Sequence, residues 1–334
     1  MNEVNSVANP YENEFTQLLG IELPIICGAM YPCSNVELVA AASEAGGIGI
    51  VQPISLTYVF GYDYCEGLRK IRTLTQKPIG VNMLIEGSNS RYRSALERWM
   101  QISLEEGVRF FVTALGNPRW VVEQARQFGG IVFHDATNVK HAKKALDNGV
   151  DGFICVNNRA GGHAGELSPR QLFEEIAPLG KPTICAGGVG GHHEFQEALQ
   201  IGYQGVQLGT RFIASKEAAA HADYKDAILA AKATDIVLTD KISGVPVSVI
   251  NTPYIQRMGL KAGWLAKKLL QGRKTKHWMR TYYAIMSAIK LKKANNIGSG
   301  YQEFYQAGKS VENIDKVLSV ADIFNELRGT PETI

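Results

Sequence analysis

Short runs of consecutive apolar residues alternate with longer stretches of helical period through the first two thirds of the chain. The runs are Pro24–Cys27, Gly47–Val51, Pro78–Met83, Arg109–Thr113, Ile131–His134, Gly152–Val156, Pro182–Ala186 and Gly205–Leu208. They are continuous rather than alternating, the pattern of parallel strands covered on both faces. Between them, Asn35–Ala45, Arg91–Glu105, Pro118–Gln127, Asn138–Asn148, Pro169–Ala177 and Glu194–Ile201 repeat their apolar residues at helical spacing. Ser34, Asn117, Thr137 and Ser168 stand where helix caps belong, and Gly46, Gly107, Gly149 and Gly202 where helices end. Eight such units predict an α/β fold, a (β/α)8 TIM barrel. A doubly wound open sheet is the alternative. Its first turn commonly carries G-x-G-x-x-G, and Gly28-Ala29-Met30-Tyr31-Pro32 does not.

The pattern changes after Phe212. Glu217–Ala233 is alanine-rich and helical, Asp235–Thr252 is β-branched with turns, and Gly259–Asn295 holds helices rich in Lys and Arg. Asn313–Leu327 has the period of one last amphipathic helix, placed to return to the barrel. The expected organisation is a barrel over 1–214, a smaller, mostly helical cap domain over 215–300, and a C-terminal helical segment over 301–334.

Composition narrows the function classes. The chain has 334 residues, 45% of them hydrophobic, enough for one large barrel and an accessory piece. A net charge of +3 does not suggest nucleic-acid binding. The cluster Lys267, Lys268, Arg273, Lys274, Lys276, Lys290, Lys292 and Lys293 reads as a solvated helix face, because Trp278, Tyr282 and Tyr283 interleave it too sparsely for RNA or a membrane surface. Five cysteines form no C-x-x-C pair, and the odd number fits a reducing compartment. Met1–Thr16 is polar without an apolar core, and no apolar run reaches membrane-spanning length. The expectation is a cytoplasmic protein with no membrane or nucleic-acid partner, with a homodimer as the default assembly.

The candidate chemistry lies in three glycine-rich strand ends. The sixth strand runs into Asn158-Arg159-Ala160-Gly161-Gly162-His163-Ala164-Gly165, where glycines admit a flat or phosphorylated ligand and His163 can move a proton near neutral pH. The seventh ends Ala186-Gly187-Gly188-Val189-Gly190 and the eighth Leu208-Gly209-Thr210-Arg211. A barrel phosphate site commonly lies after these two strands. The backbone N–H groups, the Thr210 hydroxyl and the helix beginning after Gly190-Gly191 would form it. Glycines needed only for tight turns explain one such loop well and two adjacent ones poorly. The remaining slot suits an isoalloxazine ring, with Gly28-Ala29-Met30 donating N–H groups along one edge and Asn82 offering its amide. Asn82 reads equally as a turn former. His134 can be structural or catalytic, and Tyr254 is a candidate for the mouth of the barrel. His192-His193 is expected to be surface or capping, since adjacent residues diverge and no third metal ligand is apparent.

These elements resemble the nitronate monooxygenase family, formerly called 2-nitropropane dioxygenases, FMN-dependent barrels that include the FMN-type enoyl-acyl-carrier-protein reductases. The resemblance is carried from about Pro24 to Phe212 by Gly28-Ala29-Met30, Ala45-Gly46-Gly47-Ile48-Gly49, Gly80-Val81-Asn82-Met83, Ala160 to Gly165, Ala186-Gly187-Gly188-Val189 and Gln207-Leu208-Gly209-Thr210-Arg211. It implies that Gly28, Ala29, Met30 and Asn82 line the flavin. Gly187, Gly188, Gly209 and Thr210 would hold the FMN phosphate, with Gly161 and Gly162 close to the ring. His163 would face the substrate, removing a proton from carbon or holding an anionic nitronate through a charge-assisted hydrogen bond. Asp135 would lie near the flavin, where bacterial relatives often have Lys. Asn158-Arg159 and Ala307-Gly308-Lys309-Ser310 also depart from the family's usual residues.

The implied activity is oxidation of alkyl nitronates by O2 to carbonyl compounds and nitrite, without NAD(P)H. The alternative is an NAD(P)H-dependent flavin reductase of enoyl thioesters or quinones, whose acidic or phosphorylated partners the basic cap helices would suit. A non-redox aldolase or isomerase barrel would want a lysine or paired carboxylates at the strand ends, and Asp135 is the one clear acidic candidate there.

Overall fold

The computed structural model describes residues 9–86, 90–241, 245–261, 293 and 304–329. Eight parallel strands close into a barrel in chain order: β1 (Ile25–Cys27), β2 (Ile48–Val51), β3 (Ile79–Ile85), β4 (Phe110–Leu115), β5 (Ile131–Ala136), β6 (Gly152–Val156), β7 (Thr183–Ala186) and β8 (Gly205–Leu208). The ring closes through Ile26 beside Gln207 and Cys27 beside Leu208. All eight expected runs are strands of this barrel, and the open sheet is excluded.

The two faces of each strand bury different partners. Ile26, Ile48, Ile50, Phe110, Val112, Phe133, Ile154, Ile184 and Ala186 fill the interior. Ile25, Val51, Val81, Phe111, Val132, Phe153, Cys155 and Val206 pack outward against the helices. Glycines on the inner face make room for the rings: a Cβ on Gly152 would stand 2.4 Å from the Phe133 ring, and one on Gly80 would stand 2.8 Å from that of Phe110. Phe110 and Phe133 meet edge to face with centroids 5.4 Å apart.

A short N-terminal helix, α1 (Glu14–Leu19), plugs the lower end of the barrel with Phe15 and Leu19. Asn13 caps it, and the same side chain donates from Nδ2 to the Gln204 carbonyl at 2.8 Å, just before β8. The plug is too short to show a helical period in the sequence.

Around the barrel lie α2 (Val36–Glu44), α3 (Tyr64–Leu74), α4 (Ser90–Glu105), α5 (Arg119–Arg126), α6 (Val139–Leu146), α7 (Pro169–Ile176) and α8 (His192–Ile201). Sequence pattern did not mark α3. Its interior Gly67, which lies against Leu56, weakens the helical signal. Of the expected caps, Ser168 closes a capping box with Gln171. The others move by one residue: Asn35, Pro118 and Asn138 hold the cap positions, and Asn138 accepts from the His141 N–H. The expected C-terminal glycines Gly46, Gly107, Gly149 and Gly202 all have positive φ.

After β8 comes only a four-residue helix, α9 (Thr210–Ile213), so another element must cover that side. Helix α10 (Ala222–Ala230) follows, then an antiparallel hairpin of β9 (Ile236–Thr239) and β10 (Val247–Ile250), and α11 (Pro253–Met258). The C-terminal helix α12 (Val320–Arg328) returns to the barrel, as its period implied, and sets Phe324 5.7 Å from Phe212. His192 ties it down with Nδ1 2.8 Å from the Leu327 carbonyl. The lysine-rich helices expected over Gly259–Asn295, with Trp278, Tyr282 and Tyr283, lie outside the described residues apart from 259–261 and Lys293. No helix among the described residues is long and apolar enough to cross a membrane.

Because Phe15 seals the barrel floor at 0% exposure, Phe15→Ala is expected to cost about 3–5 kcal/mol in urea denaturation.

Candidate active site

With the lower barrel filled, inward-facing positions at the carboxyl ends of the strands become the walls of the mouth. Alternation brings Gly28, Gln52, Asn82, Asp135 and Gln207 to this rim. The Gln207 side chain lies across Gly28, its Cγ 3.0 Å from where a Cβ would stand. Gln52 and Gln207 were not singled out as site residues. A glutamine at an inward position of an otherwise apolar strand was the signal that marked them.

On β5, Val132 and Ala136 pack outward while Phe133 points in, so Asp135 faces inward and His134 outward. His134 Nδ1 lies 2.8 Å from Thr113 Oγ1, and burial lowers its pKa to about 4. It is a neutral structural group behind the wall. Asp135 keeps one oxygen, Oδ1, buried with no hydrogen-bond partner among the described residues. Desolvation raises its pKa to about 7.

The first turn offers fewer donors than expected. The Gly28 N–H is bonded to the Leu208 carbonyl at 2.9 Å, and the Met30 N–H to Ser34 Oγ at 2.8 Å. Ala29 has the one N–H of the three without a partner among the described residues. Asn82 likewise has an amide that no described residue holds.

Asn157, immediately after β6 and fully buried, builds the histidine loop. Its Nδ2 donates to the Gly187 carbonyl at 3.0 Å, and its Oδ1 accepts from the Arg159 N–H at 2.8 Å. This one side chain ties the loop after β6 to the loop after β7. Gly187 has φ +116°, and a Cβ there would stand 2.5 Å from the Ala160 nitrogen. Its glycine is therefore required by backbone and packing alike, apart from any ligand. Gly188 also has positive φ, 87°.

Two distant segments brace the loop from above. The Ser248 N–H on β10 donates to the Gly162 carbonyl at 2.7 Å, and the Lys309 N–H to the Arg159 carbonyl at 2.9 Å. Gly161 faces Gly308 so closely that a Cβ would stand 2.9 Å from its nitrogen. His163 stays exposed to solvent. The rim packed around it nonetheless holds its pKa below the ordinary imidazole value. It is therefore neutral near pH 7, which favours proton removal over the charge-assisted hold on an anion.

The anion-binding geometry shifts as well. The Gly191 N–H at the start of α8 is taken by Glu194 Oε2 at 3.0 Å, so the helix fills its own N-terminus with a carboxylate. Thr210 Oγ1 accepts from the Gly308 N–H at 3.0 Å, which leaves its own proton for one further partner. The space beside Gly209 is open: a Cβ there would meet nothing nearer than Met30 at 3.5 Å. Tyr254 packs edge-on against Phe304 at 5.1 Å. No group of three or more His, Cys, Asp or Glu among the described residues is arranged to hold a metal.

A closed (β/α)8 barrel with its unpartnered polar groups and a neutral histidine gathered at the carboxyl ends of the strands has the architecture of a barrel enzyme. The chain belongs to the nitronate monooxygenase family, whose sequence profile matches residues 12–329. It is 29% identical over 244 residues, 73% of this chain and 67% of the relative, to (3aS,4S,5R,7aS)-5-hydroxy-7a-methyl-1-oxo-octahydro-1H-indene-4-carboxyl-CoA dehydrogenase of Rhodococcus jostii. It is 28% identical over 290 residues, 74% of this chain and 80% of the relative, to a probable nitronate monooxygenase of Staphylococcus haemolyticus. FabK from Thermotoga maritima superposes with a TM-score of 0.78 at 26% identity, covering 95% of each chain. The nitroalkane oxidase of Streptomyces ansochromogenes, at 20% identity, shares the fold with a TM-score of 0.76 over 94% of this chain and 96% of its own. Family membership makes this chain a flavin-dependent oxidoreductase.

Asn157→Ala is expected to strip partners from two partly buried backbone groups, costing about 1–3 kcal/mol in thermal or chemical unfolding. The same variant is expected to loosen retention of flavin on gel filtration.

Proposed function

We propose that the chain is an FMN enzyme that oxidises alkyl nitronates with O2 to carbonyl compounds and nitrite, with His163 as its catalytic base. The observation that carries this reading is a neutral imidazole on the loop at the rim of a barrel mouth whose polar groups lack protein partners. Ala29 N–H, Asn82, Gln207 and Asp135 fit the polar edge of a flavin, which has both donors and acceptors to satisfy. Gly187, Gly188, Gly209 and Thr210 fit its phosphate, with the loop after β8 carrying the open space. The flavin, when bound, supplies the electron transfer and O2 chemistry.

The protein's own part is to bind, orient and move one proton. His163 in its neutral form takes the acidic α-proton of a nitroalkane and produces the nitronate where it is consumed. A nitronate supplied preformed needs no such base. The substrate side of the site would thus be the loop Gly161-Gly162-His163, held in place by Asn157, Ser248 and Lys309.

A second reading is NAD(P)H-dependent reduction of an enoyl thioester or a quinone. It is supported by the CoA-thioester dehydrogenase named among the relatives. There the carbon next to the thioester carbonyl must gain a proton, and His163 would have to deliver it in its protonated form.

Anaerobic mixing with an alkyl nitronate, and separately with NADH and NADPH, distinguishes the two by flavin absorbance. Bleaching by nitronate alone is the expected result, and bleaching only by a nicotinamide nucleotide selects the thioester reading. His163→Ala is expected to lower kcat/KM for a neutral nitroalkane by about 10²–10⁴-fold. It is expected to lower that for the preformed nitronate far less.

The pH dependence follows from the same base. His163 must be neutral to act, and its pKa lies below 6.5. Its contribution to kcat/KM with a neutral nitroalkane is therefore level above that pKa and falls about tenfold per unit below it. A stopped-flow pH series on wild type and on His163→Ala reads this limb.

A further inference from the structure

We propose that Asp135 couples flavin binding to proton uptake: it enters the loaded site as the neutral acid and donates its own proton to an acceptor on the edge of the bound ring. The inference rests on the flavin reading above and deepens it.

The argument starts from position. Asp135 occupies an inward register place on β5, the next inward place after Phe133, which fills the barrel. Its Oδ1 is sealed from solvent and has no partner among the described residues. Such an oxygen gains nothing from being charged, since an ionised carboxylate needs donors or water on both oxygens. The residue as a whole is only partly buried. Its ionised form therefore depends on the water that still reaches it. A planar ring laid over the mouth excludes that water and moves the balance further toward the acid.

Among the described residues no compensating cation lies beside it. Asp135 stands beside Ile154 on β6, and the β4–β5 register continues to Ala114, both apolar. Burial is the sole cause acting on its titration. Of the titratable groups around it, Cys155 on β6 packs outward, with its thiol pushed well above the usual range. His134 is outward and neutral, and His163 on the loop above is neutral as well. Asn82 on β3 does not ionise. In the free protein the carboxyl titrates at about 7. At neutral pH a substantial share of molecules thus lacks the proton that the loaded form carries. A neutral acid supplies an O–H where a carboxylate supplies only acceptors, and it removes a negative charge from beside the ring.

The test is calorimetric titration of flavin-free protein with FMN in buffers of different ionisation enthalpy, at pH 7.0 and pH 8.5. Riboflavin, which has no phosphate to titrate, serves as the second probe. The expected result is uptake of about half a proton per flavin at pH 7.0, rising toward one at pH 8.5, with affinity falling up to about tenfold per unit above pH 7. Asp135→Asn is expected to bind with no uptake and no pH dependence over this range. Wild-type binding without net proton uptake overturns the proposal, and so does uptake that persists unchanged in Asp135→Asn. The wild-type measurement stands by itself if that variant fails to fold. Absence of any flavin binding, read as no quenching of flavin fluorescence, defeats the flavin reading and this inference together, an outcome distinct from binding without proton uptake.

Discussion

Filling the lower half of the barrel with aromatic rings constrains everything above it. Phe15, Phe110 and Phe133 occupy the floor and middle, seated on inward glycines that leave them space. A parallel barrel presents its inward side chains in layers, so once the lower layers are apolar and full, only the carboxyl end remains for polar chemistry. The same period of two sends Asp135 into the mouth and its neighbour His134 behind the wall. Two adjacent residues that each could do proton chemistry are thereby given unrelated tasks.

The mouth is shaped by chain segments far apart in sequence. Asn157 joins the loops after β6 and β7, β10 reaches the first of them through Ser248, and Gly308-Lys309 lies over both that loop and Thr210. Several glycines that look like ligand-binding residues thus have a second reason to be glycine. At Gly161 and Gly187 another stretch of backbone occupies the space a Cβ would take. A glycine-rich loop here is an interlocked piece of scaffold as well as a lining for a ligand.

Charge in the site is set chiefly by the loss of water. Packing lowers the His163 pKa below its ordinary value, and burial brings Asp135 to the edge of losing its charge. Neither group has an ion-pair partner among the described residues. The site thus offers a base and an acid with little net charge between them, which suits a substrate or ring that changes its own charge during turnover. Glu194, by contrast, spends its charge on the first turn of α8 and takes that helix out of anion binding.

The sequence by itself determined the barrel. Eight continuous apolar runs separated by helical periods admit few other packings, and each run became a strand within a residue or two at its ends. It also marked the loop with His163, the glycine-rich ends of β7 and β8, and the polar Asn82 within β3, because position along a strand and residue type are local properties. Only the tertiary structure decided which hydrogen-bond donors are free. The N–H groups of Gly28, Met30 and Gly191 belong to Leu208, Ser34 and Glu194, and nothing in the spacing of the first pair announces it. The same holds for the role of Asn157, the plug formed by α1, and which side of the barrel the returning α12 covers. Hydrophobic period encodes which face is buried, whereas partner choice among polar groups depends on three-dimensional neighbours that only the closed barrel brings together.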